Sequence, residues 1–95
     1  EHVCTLTNKK IIPIIESPLA VLRAETMVAH TQVQGLLLGA EDLTKEMNID
    51  RTAEGIEIDY ARSHLVMVCH AYDKEAIDTP FHKSIFIINP TVVMI

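Results

Sequence analysis

The segment from Lys10 to Ile15 restricts the fold more than any other part of the sequence, because four of its six residues are isoleucine. A strand that is apolar at nearly every position is buried on both faces, as in a parallel sheet, although Pro13 removes one donor from the hydrogen-bond ladder. A second apolar segment, Val33 to Leu38, ends at Gly39 and predicts another buried strand. A sheet built from such strands needs helices on both of its faces.

The segments between and after these strands contain helix signals. Ser17 and Pro18 are typical of a helix start, with serine as the N-cap and proline at the first helical position, and the apolar spacing predicts a helix to about His30. The order strand, helix, strand, helix, strand, strand predicts an α/β fold with parallel strand–helix repeats and a single domain over residues 1–95. The remaining predicted elements are a turn at 39–42, a short helix at Leu43–Met47, a loop at Asn48–Gly55, a long helix with Ala61, Leu65, Val68 and Tyr72 on one face, and strands at Glu75–Asp78 and Ile85–Ile88.

Composition argues against two classes of partner. Eight Lys and Arg against thirteen Asp and Glu give a net charge of -5, and a nucleic-acid surface needs clustered cations. No apolar run approaches the roughly 18 residues of a membrane helix, and no signal peptide is visible, so we expect a location in the cytoplasm or an organelle matrix. Cys4 and Cys69 match no zinc or redox spacing and are predicted to be buried thiols.

Two acidic residues follow the two predicted strands. In parallel α/β sheets, working residues lie at the carboxyl ends of the strands; Glu16 ends the first strand and Asp42 comes just past the second. If both hold a Mg²⁺ ion, their carboxyl groups should lie within about 5 Å of a common point on the side of Gly39. The alternative is that Asp42 caps the short helix from Leu43 and that Glu16 is a solvated loop residue. Spacing alone leaves both interpretations open.

The turn after the second strand has two interpretations as well. A glycine between a strand and a helix, as at Gly39, can expose backbone N–H groups to a bound carboxylate, or it can serve as a plain turn. Arg51 and Arg62 could bind anions, but in an acidic chain we expect them to pair with nearby carboxylates such as Asp50 or Asp59.

Five short motifs occur in one order between about Ile11 and Thr79. Together they resemble the HpcH/HpaI aldolase/citrate lyase family, and its citrate lyase β-subunit branch more closely than its pyruvate aldolases. The motifs are Ile14-Ile15-Glu16-Ser17, Gly39-Ala40-Glu41-Asp42-Leu43, Arg51-Thr52-Ala53-Glu54-Gly55, Tyr60-Ala61-Arg62-Ser63 and Ala76-Ile77-Asp78-Thr79.

This resemblance implies a (β/α)₈ TIM-type barrel, of which the chain is an incomplete piece with the middle-to-late strand–helix units. It implies a Mg²⁺ ion held by Glu16 and Asp42, and backbone amides of Gly39, Ala40 and Glu41 that meet the carboxylate of a 2-oxo acid. The implied activity is that of a lyase that cleaves a 3-hydroxyacyl thioester, such as citryl-coenzyme A, to an acyl thioester and a 2-oxo acid. Implied partners are a thioester of coenzyme A or of an acyl-carrier protein, other citrate lyase subunits, and further copies of the chain.

The sequence also departs from the family pattern. A full barrel takes about 200 residues or more, and this sequence has 95. The family's earlier strands, which supply an arginine for the substrate carboxylate, have no counterpart here, so we expect these residues alone to be inactive as a lyase. The alternative function is that of a degenerate, non-catalytic binding or assembly module. A third and weaker alternative is a small α/β binding domain whose resemblance to the family is accidental.

Overall fold

A computed structural model describes residues 9–78 and 92–94 of the chain. These residues form five short strands, four α-helices and one 3₁₀ helix. In chain order the elements are β1 (Lys10–Ile12), β2 (Ile14–Ile15), α1 (Pro18–Leu22), α2 (Ala24–Val28), β3 (Gly35–Leu38), α3 (Ala40–Met47), the 3₁₀ helix (Ile56–Ile58), α4 (Asp59–Ala71), β4 (Glu75–Ile77) and β5 (Val92–Met94).

All strand pairs within the described ranges are parallel. Strand β3 lies between β2 and β4, with Ile15 opposite Leu38 and Leu37 opposite Ile77. Strand β1 pairs with β5, and a single bridge between Ile11 and Val33 links β1 to the segment that precedes β3. The predicted parallel strand–helix arrangement is therefore confirmed. Strand β5 was not predicted, and the predicted strand at 85–88 lies outside the described residues.

The predicted continuous strand from Lys10 to Ile15 is divided at Pro13. Proline has no N–H and cannot donate to the ladder, which interrupts the strand between β1 and β2. Its carbonyl oxygen still accepts the Leu37 N–H at 3.0 Å, and the Ile11 carbonyl accepts the Gln34 N–H at 2.9 Å. The pairing with the next segment of chain thus continues on both sides of the proline.

The helix predicted from Ser17 to about His30 begins as expected but is broken once. The Ser17 hydroxyl accepts the Ala20 N–H at 3.1 Å, with Pro18 at the start of α1. The break falls at Arg23, whose carbonyl oxygen accepts both the N–H and the hydroxyl of Thr26, at 3.2 and 2.7 Å. The threonine side chain thus competes for the local backbone acceptor, and two short helices replace the predicted one.

The core lies between β2–β3 and the inner faces of the helices. The predicted apolar face of α4 needs one correction: Cys69 is buried, whereas Tyr72 lies on the surface and donates to Glu25 Oε2 at 2.7 Å. The predicted burial of the Cys69 thiol is confirmed, and burial raises its pKa, whereas Cys4 lies outside the described residues. Within residues 9–78 and 92–94, no helix has the length and apolarity needed to span a membrane. The largest buried side chains are Ile11, Ile12, Ile15, Val28, Leu36, Leu38, Ile58 and Cys69.

Candidate metal centre

Glu16 and Asp42 reach the same edge of the sheet because they follow neighbouring parallel strands. Glu16 comes directly after β2, and its neighbour Ile15 lies opposite Leu38, the last residue of β3. Gly39 follows β3, and α3 begins at Ala40, so Asp42 lies in the first turn of that helix. This corrects the prediction of a helix that starts at Leu43. The alternative role of Asp42 as its cap is wrong, since Asp42 lies inside the helix.

The carboxyl groups of Glu16 and Asp42 lie close enough for Asp42 to raise the pKa of Glu16. Desolvation raises the pKa of Glu16, and both the hydrogen bond from Asp42 and its negative charge raise that pKa further. The pair therefore holds a proton more tightly than an isolated glutamate does, and a cation placed between the two groups would replace it.

Gly39 makes this contact possible through its lack of a side chain. A Cβ atom at position 39 would lie 3.0 Å from Glu16 Cβ, 3.0 Å from Ile14 Cγ2 and 3.4 Å from Glu16 Oε2. The Glu16 side chain thus packs directly over the glycine, on the side of the sheet where Asp42 lies. The Gly39 N–H donates to the Ile15 carbonyl at 2.8 Å, so it belongs to the sheet and is not available to a ligand. This corrects the prediction that the Gly39 amide meets a substrate carboxylate.

The residues present fit a hard divalent cation. Both side chains are exposed at the surface, and Mg²⁺ usually takes one or two carboxylates together with water and substrate oxygens. Within the described ranges, no group of three or more His, Cys, Asp or Glu side chains surrounds a common point. A cation held by these two carboxylates would take its other ligands from water or from substrate.

A second group of charged side chains lies beside this pair; we call Glu41, Arg51, Thr52 and Glu57 the Arg51 cluster. Arg51 Nη1 lies 3.0 Å from Glu41 Oε1, and Arg51 Nε lies 3.4 Å from Glu57 Oε2. The Glu57 carboxylate accepts the Thr52 N–H at 3.0 Å and the Thr52 hydroxyl at 2.6 Å. These two bonds, with the nearby charge of Arg51, lower the pKa of Glu57 to about 2. Among the described residues, the ion pairs of Arg51 are with Glu41 and Glu57 and not with its neighbour Asp50, whose pairing the sequence predicts.

A third group lies at the end of β4. Arg62 Nε donates to Asp78 Oδ1 at 3.1 Å, and Arg62 Nη1 lies 3.7 Å from Asp59 Oδ1. The predicted pairing of Arg62 with Asp59 is present, but Asp78 is the nearer partner. The partners Glu57 and Asp78 were not predicted, because both approach their arginines across a loop or from another strand, which spacing along the chain does not reveal.

A parallel sheet of strand–helix repeats with paired carboxylates at its carboxyl edge is the kind of site found in α/β barrels. Residues 4–84 match the HpcH/HpaI aldolase/citrate lyase family model, and the chain belongs to this family. It is 34% identical, over 78 residues, to the citrate lyase subunit beta of Haemophilus influenzae, a match that covers 81% of this chain and 27% of that protein. The chain thus spans about a quarter of the length of the curated relatives that it matches.

Two solved structures show the same fold. RipC from Yersinia pestis is 32% identical with a TM-score of 0.71, and the match covers 78% of this chain and 34% of that chain. A citrate lyase beta subunit from M. tuberculosis, complexed with oxaloacetate and magnesium, has a TM-score of 0.71 at 24% identity and covers 81% of this chain and 37% of that chain. The described strands and helices therefore form part of a TIM-type barrel fold, as predicted.

Proposed function

We propose that this chain supplies the metal-binding edge of a Mg²⁺-dependent carbon–carbon lyase. The reaction would split a 3-hydroxyacyl thioester, such as citryl-coenzyme A, into an acyl thioester and a 2-oxo acid. The observation that carries the proposal is the placement of Glu16, directly after β2, and of Asp42, in the first turn after the neighbouring strand β3, at the carboxyl edge of a parallel sheet. The family match and the oxaloacetate and magnesium bound to the M. tuberculosis neighbour support it.

The residues of this edge have distinct roles in the proposal. Glu16 and Asp42 would hold the Mg²⁺ ion, which, when bound, would polarise the oxygen that becomes the ketone of the 2-oxo acid. The carboxylate of that acid would lie at the start of α3, where the positive end of the helix dipole favours an anion. Ala40 and Glu41 are the residues that we propose for this contact. Gly39 contributes space for Glu16 and leaves the contact with the acid to those two residues.

The setting of this edge is also part of the proposal. The substrate would be a thioester of coenzyme A or of an acyl-carrier protein, and the assembly would contain further copies of the chain and other citrate lyase subunits, in the cytoplasm. Because the chain spans about a quarter of its curated relatives, we expect the 95 residues alone to cleave no thioester. A non-catalytic binding or assembly module is the alternative outcome.

Cation binding by the purified chain tests the proposal directly. We expect Mg²⁺ and Mn²⁺ to bind by isothermal titration calorimetry, and oxaloacetate to bind only in their presence. Asp42→Asn should raise the dissociation constant of the cation roughly tenfold or more, since a ligand is lost outright. The oxo acid should lose affinity together with the metal, because the acid is held partly through it.

The matched control is Glu54→Gln, which removes the same charge from an exposed loop residue. It should change the cation affinity by less than about twofold, since exposed charges are well screened. Equal losses in the two variants would mean that general charge attracts the cation, and the lyase proposal would then lose its metal site. Absence of binding in the parent chain would favour the non-catalytic module, whereas Mg²⁺-dependent thioester cleavage by the chain would contradict its expected inactivity.

A further inference from the structure

We propose that Arg51 is a positioning residue for the cation site: through Glu41 and Glu57 it ties the first turn of α3, where Asp42 lies, to the segment at 52–58. This inference rests on the proposed function and deepens it, because it names a residue that sets cation affinity without touching the cation. Neither the spacing of the acidic residues nor the metal pair itself points to such a role.

The contacts of Arg51 show how the tie is built. The Arg51 side chain is 17% exposed and that of Glu57 is 6% exposed, so this half of the contact is largely withdrawn from water. Arg51 Nε is buried and makes no hydrogen bond within the described part of the chain, although it lies 3.4 Å from Glu57 Oε2. The Arg51 Nη1 group extends to Glu41, whose side chain is 64% exposed. Arg51 thus joins a largely buried carboxylate on one side to an exposed surface carboxylate on the other.

The anchored side is held by a compact loop. Glu57 accepts two hydrogen bonds from Thr52, and the Thr52 hydroxyl oxygen in turn accepts the Gly55 N–H at 3.1 Å. Gly55 adopts a φ of 72°, in the left-handed region that favours glycine, and its carbonyl accepts the Ile58 N–H at 3.1 Å. These bonds fix the position of the Glu57 carboxylate, so the guanidinium that lies against it is fixed as well.

The first turn of α3 needs such a tie. Its N-cap is Gly39, which has no side chain to accept the N–H groups of the first turn, so within the described ranges the N-cap position makes no side-chain hydrogen bond. Asp42 directly follows Glu41 in this uncapped turn. Since a cation site loses affinity when its ligands are held loosely, a residue that grips Glu41 should also limit the movement of Asp42.

The charge of Arg51 allows a test with opposite expected signs. By Coulomb's law, removal of a positive charge near a cation site should strengthen cation binding. Loss of a positioning contact should weaken it. Arg51→Gln therefore separates the two effects, and we expect Mn²⁺ affinity, followed by calorimetry, to fall by roughly threefold to tenfold. Arg51→Lys keeps the charge without the planar fork and should recover part of the loss.

The matched control is Arg62→Gln, which removes the same charge at the same edge but breaks the ion pairs with Asp59 and Asp78. It should leave the Mn²⁺ affinity unchanged within about twofold, or strengthen it. A second readout needs no metal: hydrogen exchange of the Leu43 amide, which donates to the Gly39 carbonyl at 3.1 Å. That amide should exchange faster in Arg51→Gln than in the parent chain or in Arg62→Gln.

Each outcome decides the matter. Unchanged or tighter Mn²⁺ binding by Arg51→Gln would overturn the positioning role, as would unchanged exchange of Leu43. If the parent chain binds no cation, the proposed function fails, and the exchange measurement then decides by itself whether Arg51 orders the first turn. Weaker binding with faster exchange, in a variant that keeps its far-ultraviolet circular dichroism, would support the inference.

Discussion

Two groups of carboxylates share the carboxyl edge of the sheet, and their surroundings differ. Glu16 and Asp42 face each other, and the pKa of Glu16 is raised by desolvation and by Asp42. Glu41 and Glu57 face Arg51 from two sides, and the pKa of Glu57 is lowered to about 2 by its bonds to Thr52 with the help of Arg51. Glu16 and Asp42 repel each other when both are ionised, and we call them the self-repelling pair. The Arg51 cluster, in contrast, contains its own positive charge.

The difference separates two neighbours in the sequence. Glu41 and Asp42 are consecutive in the first turn of α3, yet one meets an arginine and the other a glutamate. Successive side chains on a helix point about 100° apart, so a single turn can present one acid to each group. The self-repelling pair is thus the one suited to a cation from solution, and the Arg51 cluster is suited to holding the turn in place.

The largest combined loss of stability and cation affinity that we expect comes from Gly39→Ala, which disturbs the self-repelling pair without removing a charge. The new methyl group would lie 3.0 Å from both Glu16 Cβ and Ile14 Cγ2, so the Glu16 side chain or the backbone must move. Overpacking of this kind costs about 1–3 kcal/mol, which urea denaturation would measure. Cation binding, measured by calorimetry while the chain is folded, should fall along with stability.

The control for Gly39→Ala lies at the other end of the same strand. In Gly35→Ala, the methyl group would overlap the Glu75 carbonyl oxygen, so stability should fall through the β3–β4 pairing while Glu16 and Asp42 remain in contact. The comparison would break if Gly39→Ala kept both its stability and its cation affinity, because Glu16 would then not depend on the space at Gly39.

We expect the contributions of Glu57 and Glu16 to folding stability to change with pH in opposite directions. The lowered pKa of Glu57 adds stability that is present above pH 4.5, its unperturbed pKa, and is lost as the pH falls toward about 2. The raised pKa of Glu16 does the reverse: it favours the folded state at low pH, and that contribution is lost as the pH rises above 4.5. Urea denaturation across this range should show Glu57→Gln losing less stability in acid than the parent chain.

The companion variant sharpens the pH comparison. Glu16→Gln keeps the shape of the side chain but cannot ionise, so its stability should no longer decline above pH 4.5 through this group. Added Mg²⁺ should likewise reduce the decline in stability of the parent chain above pH 4.5. It should not change the stability of Glu16→Gln, because bound metal stabilises only the state that holds it. Parallel pH curves for Glu16→Gln and the parent chain would mean that folding does not raise the pKa of Glu16.

Much of the architecture could be predicted from local patterns. The isoleucine-rich segment and Leu36–Leu38 gave the buried parallel strands, and Ser17 with Pro18 marked the start of α1, because apolar burial and capping act over a few residues. The break at Arg23 was not predicted, since it depends on which acceptor the Thr26 hydroxyl takes. At Pro13 the sequence predicts the loss of one hydrogen-bond donor but not the division of the strand.

The candidate site could be predicted in part. The strand ends bring Glu16 and Asp42 to one edge of the sheet, as the sequence predicts, and their binding of a cation stays a prediction. The resemblance assigns the Gly39 N–H to a ligand, but in the structure this N–H donates to the Ile15 carbonyl between β2 and β3. Only the register of the strands reveals this bond. Glu57 was missed because its link to Arg51 depends on the fold of the loop at 52–55, where no periodic pattern exists.

The smallest effect that we expect comes from Arg62→Gln. Arg62, Asp78 and Asp59 have side chains that are 37%, 58% and 61% exposed, so water and salt screen their ion pairs. Exposed pairs contribute about 0.2–1 kcal/mol, and we expect the loss on urea denaturation to lie near the lower end and to shrink further at about 1 M salt. Arg51→Gln should cost more stability and depend less on salt, because Arg51 and Glu57 are only 17% and 6% exposed. If Arg62→Gln were the more destabilising of the two, burial would not explain the difference between the arginines. The arginine contact that stabilises this edge would then lie at the end of β4 and not at the start of α3.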